Sequence, residues 1–250
     1  SININSGDSY TNSTAVTLSL SATDNVGVTG YYLSANATTP SASGAGWTSI
    51  TSTTNYSGSV SYTLGSGDGS KAIYVWYKDG SGNVSGTASD SISLDTTAPS
   101  ITITNPTYNS TYTATSSTMN LGGDVSDSAS GVSSTTWSND KGGSGTTSGA
   151  TGWLFSSITL SSGNNVITVT ATDKANNTST DTITVTYGAA PSVSMGSATN
   201  LTSNSATLNQ TVNANGLPTT VWFDYGTTSG VYGSKSTTQA VSGSTDTMVS

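Results

Sequence analysis

Residues 72–79 read Ala-Ile-Tyr-Val-Trp-Tyr-Lys-Asp. Ile73, Val75 and Tyr77 alternate with aromatic residues, so that every second side chain belongs to one face. Such alternation of β-branched and aromatic residues is typical of a strand packed against a core. Similar runs recur along the chain between clusters of Gly, Ser and Asn, and no helical period of useful length appears. The sequence therefore predicts an all-β protein.

The same stretch begins an internal repeat. Residues 72–85 match residues 166–179, and Asp24-Asn-Val-Gly matches Asp127-Ser-Ala-Ser-Gly with one insertion. In both long segments a strand is followed by an Asp, then an Asn and a Ser, which are Asp79, Asn83 and Ser85 in the first copy and Asp173, Asn177 and Ser179 in the second. Because a repeat at this spacing indicates repeated structural units, we expect residues 1–97 and 98–188 to share one plan.

The charge inventory excludes several classes of function. All 13 acidic residues are Asp, all 5 basic residues are Lys, and Glu, Arg, His and Cys are absent. A net charge of −8 offers no basic surface for nucleic acid. Without His or Cys the usual nucleophile–base pairs cannot be built, and an Asp–Asp pair has no supporting motif. No apolar run approaches the roughly 20 residues of a membrane span. We therefore expect a protein that is no enzyme and does not insert into a membrane.

Four short stretches resemble the bacterial immunoglobulin-like domains that occur in tandem in secreted and surface proteins. They are Tyr-Thr-Asn-Ser at 10–13, Ser-Ala-Thr-Asp at 21–24, Tyr-Val-Trp-Tyr-Lys-Asp at 74–79 and the Asp-Thr-Thr-Ala-Pro linker at 95–99. Residues 189–250 resemble the first part of a fibronectin type III domain, through the stretches 200–208, 212–216 and 221–226. The resemblance implies tandem immunoglobulin-like β-sandwiches, the last one incomplete, and a bacterial extracellular or cell-surface location.

The third unit, residues 189–250, is short for a sandwich of about seven strands. Three explanations are open: a boundary of the piece, a mobile tail, or strands supplied by another subunit. We expect a boundary, because Ser1 also begins directly on a first strand. Completion by a neighbouring chain, as in β-augmentation, is the alternative.

A metal site is expected at the first linker. In an immunoglobulin-like sandwich the B–C and F–G loops lie at the pole where the chain enters, and this brings Asp127 and Asp173 towards Asp95. Asp68 approaches from the E–F turn, and Asp24 and Asp79 form the corresponding pair at the N-terminal pole. Oxygen ligands of this kind fit Ca²⁺ rather than Zn²⁺ or Cu²⁺, and some tandem arrays of the resembled class stiffen their linkers with calcium.

A simpler interpretation of these acids stays open. Asp79-Gly-Ser-Gly and Asp173-Lys-Ala-Asn are ordinary turn sequences, in which Asp accepts hydrogen bonds from nearby backbone N–H groups. The second linker, Gly188-Ala-Ala-Pro191, contains no acid. We therefore expect a plain hinge at the second linker and a calcium-dependent one at the first.

Two functions follow from these patterns. The first is a structural, non-catalytic segment of a bacterial surface protein, as a stalk, an adhesin shaft or a fibre subunit, with other domains of a longer chain or further copies of itself as partners. The alternative is an accessory carbohydrate-binding segment of a secreted carbohydrate-active enzyme, with surface polysaccharide as partner. Sugars stack on exposed aromatic rings, and Trp47 and Trp153, each after a Gly-rich loop, are the candidates.

Overall fold

A computed structural model describes residues 1–148 and 151–250. The described chain is almost entirely β, with one short 3-10 turn at Asn5–Gly7, and none of its helices has the length and apolar character of a membrane span. It divides into two compact units. The first comprises Ser1–Ser100 with the segments Ser126–Ser133 and Thr172–Ser179, and the second comprises Ile101–Val125, Ser134–Ala171 and Thr180–Ser250.

Residues 1–94 form one six-stranded sheet with the order β1–β3–β5–β6–β2, in which β4 also pairs with β3. Its strands are β1 (Ile2–Ile4), β2 (Tyr10–Thr11), β3 (Ala15–Ser34), β4 (Thr48–Thr63), β5 (Gly69–Asp79) and β6 (Ala88–Leu94). The predicted alternation of β5 is confirmed, since Ile73, Val75 and Tyr77 lie in the core of this unit. The pairing of β3 shifts register between Thr23 and Val28, and the bulge between these residues, called the Asp24 loop below, carries Asp24.

Residues 100–187 form a five-stranded sheet with the order β11–β10–β13–β14–β8 and a three-stranded sheet with the order β12–β9–β7. The strands are β7 (Ser100–Asn105), β8 (Thr111–Ala114), β9 (Thr118–Ser126), β10 (Val132–Asn139), β11 (Ser144–Ser148), β12 (Gly152–Thr159), β13 (Gly163–Asp173) and β14 (Thr178–Tyr187). Ile167 and Val169 of β13 are fully buried, as their alternation predicts. Asp173 ends this strand and Asp127 follows β9, so that β-strands position both acids.

The two copies of the repeat carry an equivalent hydrogen bond that fixes their register. The Ile4 N–H donates to Asp90 Oδ2 at 2.8 Å, and the Ile103 N–H donates to Asp181 Oδ2 at 2.7 Å. Ile4 thus corresponds to Ile103, and Ser1 corresponds to Ser100.

Residues 192–249 form three small sheets, with the orders β15–β16–β21, β17–β20 and β18–β19. The strands are β15 (Ser192–Met195), β16 (Gln210–Asn213), β17 (Thr219–Val221), β18 (Asp224–Tyr225), β19 (Ser234–Lys235), β20 (Gln239–Val241) and β21 (Thr247–Val249). Val212, Val221, Phe223 and Val249 belong to their small core.

Candidate metal centre

Asp127 is held by the loop that follows β9. Its Oδ1 accepts hydrogen bonds from the N–H groups of Ala129 (3.1 Å), Ser130 (2.9 Å) and Gly131 (2.6 Å). Gly131 has a φ of 81°, a backbone conformation that glycine adopts without strain. The carboxylate therefore has one fully engaged oxygen, and no protein donor to Oδ2 is found among the described residues.

Asp173 is held by Asn177 at the turn after β13. Its Oδ1 accepts from the Asn177 N–H at 2.8 Å and its Oδ2 from the Asn177 side-chain amide at 2.7 Å. The same Nδ2 donates to the backbone oxygens of Asp95 at 2.8 Å and Thr97 at 3.3 Å. Asn177 thus ties the turn that carries Asp173 to the linker that begins at Asp95.

Asp95 completes the group. Its N–H donates to the Thr11 carbonyl at 2.9 Å, its Oδ1 accepts from the Thr97 N–H at 3.0 Å, and its Oδ2 accepts from the Ser130 N–H at 3.0 Å. Asp95 is 1% exposed. The linker aspartate therefore turns inward, towards the loop of Asp127.

Asp95, Asp127 and Asp173 form what we call the acidic cluster. One carboxylate oxygen from each lies within 4.8 Å of the other two, and all three residues belong to the first compact unit. Asp95 and Asp173 are buried and Asp127 is half-buried. Within residues 1–148 and 151–250 the only ion pair joins Lys141 to Asp140. No lysine forms an ion pair with the cluster in the described part of the chain, although the Lys174 amino group lies near Gly131 of the Asp127 loop.

The donor set fits a hard divalent cation. Buried like charges repel strongly unless a counter-charge compensates them, and three carboxylates offer oxygen ligands alone, the chemistry that Ca²⁺ prefers. One further observation fits. The Ser130 hydroxyl is buried without a hydrogen-bond partner in the described chain, although the Ser130 N–H contacts both Asp95 and Asp127. The cluster therefore leaves oxygen atoms available to an ion.

Asp68, which we expected at the same centre, lies outside the acidic cluster. Its Oδ1 accepts from the Thr96 N–H (2.9 Å) and the Thr96 hydroxyl (2.8 Å), and its Oδ2 accepts from the Thr97 hydroxyl (2.9 Å). These bonds, the Thr96 N–H foremost, hold the pKa of the Asp68 carboxyl below its ordinary value. Asp68 therefore clamps the linker threonines and offers no carboxylate to the cluster.

Asp24 and Asp79 line one pocket of the first unit, in company with Asn83 and Ser85. Hydrogen bonds from Asn83, the side-chain amide first, hold the pKa of the Asp79 carboxyl below its ordinary value. Among the described residues no third acid joins this pair in a cluster like that of Asp95.

The two tryptophans of the carbohydrate hypothesis differ in exposure. Trp153 is 6% exposed, and its indole N–H donates to the Asp124 carbonyl at 3.3 Å, so that it presents no free face for a sugar. Trp47 is half-buried. Its ring lies 5.7 Å from that of Tyr32, the Lys78 amino group lies 4.9 Å from its centre, and its N–H donates to the Ser41 carbonyl at 2.9 Å.

Sequence reasoning missed Asn177 and Ser130. Both contact Asp95 directly. The signal for Asn177 was present, because Asn83 occupies the same place in the first copy of the repeat. Ser130 had no such signal, since it lies at the insertion that separates the two loops.

Parts of the chain resemble known proteins. Residues 99–188 match the family model described as glucodextranase, domain B. Fibronectin(III)-like modules of Clostridium thermocellum CbhA align with 76% of this chain and 95% of their own, at 15% identity and a TM-score of 0.44. The tetra-tandem repeat in the extending region of a large adhesion protein aligns with 99% of this chain and 64% of its own, at 19% identity and a TM-score of 0.40. No curated protein matches the sequence.

The fold and the family match define a class. The described chain is almost entirely β, and the proteins it resembles are built of immunoglobulin-like and fibronectin III-like β-sandwich domains. More specifically, its residues 99–188 are similar to a domain named from a glucodextranase. The structural neighbours are too distant in sequence and in structure to transfer a function.

Proposed function

We propose that the chain is a structural, non-catalytic segment of a bacterial extracellular or cell-surface protein. It serves as a stalk, an adhesin shaft or a fibre subunit, and a calcium ion held by Asp95, Asp127 and Asp173 stiffens its first linker. The observation that carries the proposal is the acidic cluster, in which three carboxylates converge without an ion pair to any lysine among the described residues. The sequence adds support, because it has neither His nor Cys for nucleophilic catalysis.

Calcium would act here by compensating charge. It takes six to eight oxygen ligands in flexible geometry, and the three carboxylates supply part of that shell. Because Asp95 begins the linker and the other two acids lie in the loops 126–133 and 172–179, an ion among them would fix the linker to both loops. The second linker has no acid. There the Asn215 side-chain amide donates to the Ala190 carbonyl instead, a contact that is independent of calcium.

Hydrogen exchange with and without calcium tests the proposal. We expect calcium to slow exchange at the amides of Thr97, Ser130 and Asn177, which donate to the cluster. The Asn215 amide, bonded to Asn213 Oδ1, is the internal control and should not change. Asp127→Asn should abolish the effect, whereas Asp8→Asn, a change at an exposed carboxylate, should preserve it. Equal exchange in calcium and in chelator would refute the calcium part of the proposal.

Carbohydrate binding is the second candidate. Its support is the match of residues 99–188 to a domain named from a glucodextranase, together with the half-buried ring of Trp47. Affinity electrophoresis in gels that contain polysaccharide separates the two functions. A structural segment migrates at the same rate with and without polysaccharide. Retardation that Trp47→Ala abolishes and Trp222→Ala retains would favour the accessory segment.

A further inference from the structure

A pocket of about 150 Å³ opens at the loops after Thr23 and Asp79. It is lined by residues of three segments, which are Ala22, Thr23, Asp24, Val28, Tyr77, Lys78, Asp79, Asn83, Val84 and Ser85. We call it the Asp24–Asp79 pocket. All of its lining residues belong to the first compact unit.

The loops of this pocket share several hydrogen bonds with those of the acidic cluster. Asp24 Oδ1 accepts from the Val26 and Gly27 N–H groups at 2.8 and 2.7 Å, as Asp127 Oδ1 does from its own loop. Asp79 accepts from the Asn83 N–H at 2.8 Å and from the Asn83 side-chain amide at 2.7 Å. These are the distances that Asp173 makes with Asn177. The two sets of loops therefore share the Asp–Asn pair and the Asp-held turn, although Asp127 accepts one more N–H bond than Asp24 and Asp79 accepts an extra one from Ser81.

The second copy shows what such a site holds. There the linker 95–99 lies against the loops. The Asn177 amide donates to the Asp95 and Thr97 carbonyls, the Ser179 hydroxyl donates to the Pro99 carbonyl, and the Asp95 carboxylate accepts from the Ser130 N–H. Three of these four bonds go to backbone oxygens, so that the loops recognise an extended peptide mainly through its main chain.

The first copy has the corresponding donors, of which one is free and the other would exchange its present bond for one to a peptide. The Asn83 side-chain amide makes one hydrogen bond in the described chain, to Asp79, which leaves one of its N–H groups available. The Ser85 hydroxyl, the counterpart of that of Ser179, donates to the neighbouring Gly86 carbonyl. Asn83 and Ser85 are exposed, whereas Asn177 is half-buried beneath its linker.

We propose that the Asp24–Asp79 pocket binds an extended peptide of the pattern Asp-x-x-x-Pro, of which residues 95–99 are the example in this chain. Asn83 and Ser85 hold the peptide backbone, and the peptide aspartate joins Asp24 and Asp79 in a third carboxylate position. That a divalent cation takes part in this binding is an inference that rests on the proposed function. The contacts of Asn83 and Ser85 with the peptide backbone are independent of that function.

The register of the repeat predicts how many residues would connect such a peptide to Ser1. Ser1 corresponds to Ser100, and Pro99 directly precedes Ser100. A five-residue extension, Asp-Thr-Thr-Ala-Pro, placed before Ser1 would therefore reach the pocket in the register seen at the acidic cluster. The same five residues on a separate molecule would reach it only by binding.

The test uses the ¹⁵N-labelled full chain and the capped peptide Leu-Asp-Thr-Thr-Ala-Pro-Ser. In calcium we expect saturable shifts of the amide signals of Asp24–Gly27 and Asp79–Asn83. Asn83→Ala should weaken binding by about threefold to tenfold, the equivalent of one hydrogen bond. Asn36→Ala, a change at an exposed asparagine, should leave binding unaltered. A peptide with Asn in place of Asp should lose the calcium dependence.

A chain that carries the extension before Ser1 forms the second arm. Its pocket amides should shift without added peptide, and free peptide should no longer bind. The extension arm tests a segment on the same chain, and the free-peptide arm tests one on another molecule. Binding that persists in chelator supports docking without an ion, while the exchange of Thr97 and Ser130 judges the calcium site separately. If neither arm moves the pocket amides, the proposal is overturned whatever calcium does at the acidic cluster.

Discussion

At the scale of single residues, hydrogen bonds hold the three carboxylates of the acidic cluster close together, while their negative charges repel one another. Each carboxylate is held by N–H groups of its own loop or of the linker, so that none can turn away from the other two. Repulsion between buried carboxylates destabilises the fold unless a cation is bound. The sign of a neutralising mutation should therefore depend on calcium.

Asp127→Asn tests this sign. The amide oxygen can still accept the three N–H bonds of the loop, so that the change removes charge and keeps the turn. In chelator the variant should melt at or above the temperature of the unaltered chain. In calcium only the unaltered chain should gain stability, by about 2.7 kcal/mol at a calcium concentration one hundred times Kd. Calorimetric Tm values of both proteins provide the measurement, and an equal calcium shift in both would contradict the account.

The hydrogen bonds of Asp68 predict how the contact with Thr96 depends on pH. Its carboxyl has a pKa below the ordinary value of 3.8, because Thr96 and Thr97 donate to the ionised form. Because this pKa is lower in the folded state, the ionised Asp68 carboxylate stabilises the fold. Its contribution to stability is complete above pH 3.8 and is lost as the pH falls through the lower pKa of the folded state. The Thr96 amide proton should therefore titrate below that ordinary value in NMR spectra. Asp68→Asn should remove the titration, and a Thr96 signal that titrates at or above pH 3.8 would contradict the clamp.

At the scale of elements, β5 differs from a strand with one polar face. Its inner residues belong to the core, but Trp76 on the other face is also fully buried, with its ring 6.0 Å from Tyr32 and 6.2 Å from Tyr74. Trp47 packs on Tyr32 from the loop before β4. The outer face of the strand therefore has a small aromatic core of its own.

Trp47→Ala tests this outer core. The substitution removes the ring contacts with Tyr32 and Lys78 and the hydrogen bond to Ser41. Since Trp47 is half-buried, we expect a loss of about 1–2 kcal/mol in the free energy of unfolding, below the roughly 3–5 kcal/mol of a fully buried ring. Urea unfolding measures it, with Trp222→Ala, at an exposed ring, as the control. A loss no larger than that of the control would show that Trp47 has no structural role.

The sequence could predict the strands and the three acids, because alternation and the internal repeat are local patterns. It could not place Trp153. That ring is buried because its strand partner is Gly123, where an added Cβ would lie 2.8 Å from the ring. Nor could it assign Asp68, since the competing donors Thr96 and Thr97 follow it by 28 and 29 residues. Contacts of this kind depend on the pairing of distant segments, which one sequence does not display.

At the scale of the molecule, the chain contains two linkers that differ in charge and in hydrogen bonding. The first begins with a buried aspartate and contains Thr96 and Thr97, both bonded to Asp68. The second, residues 188–191, has no charged side chain. If calcium acts on the first alone, calcium concentration controls the stiffness of one linker and leaves the other unchanged.

Calcium binding at the acidic cluster can be measured by a calorimetric titration of the chelator-treated chain with calcium. We predict saturable binding at the acidic cluster that Asp127→Asn abolishes and Asp8→Asn retains. Asp68→Asn should also retain it, because Asp68 gives its oxygens to Thr96 and Thr97. An absence of calcium binding, or binding that Asp127→Asn leaves unchanged, would contradict the central claim and leave the three acids as hydrogen-bonded turn residues.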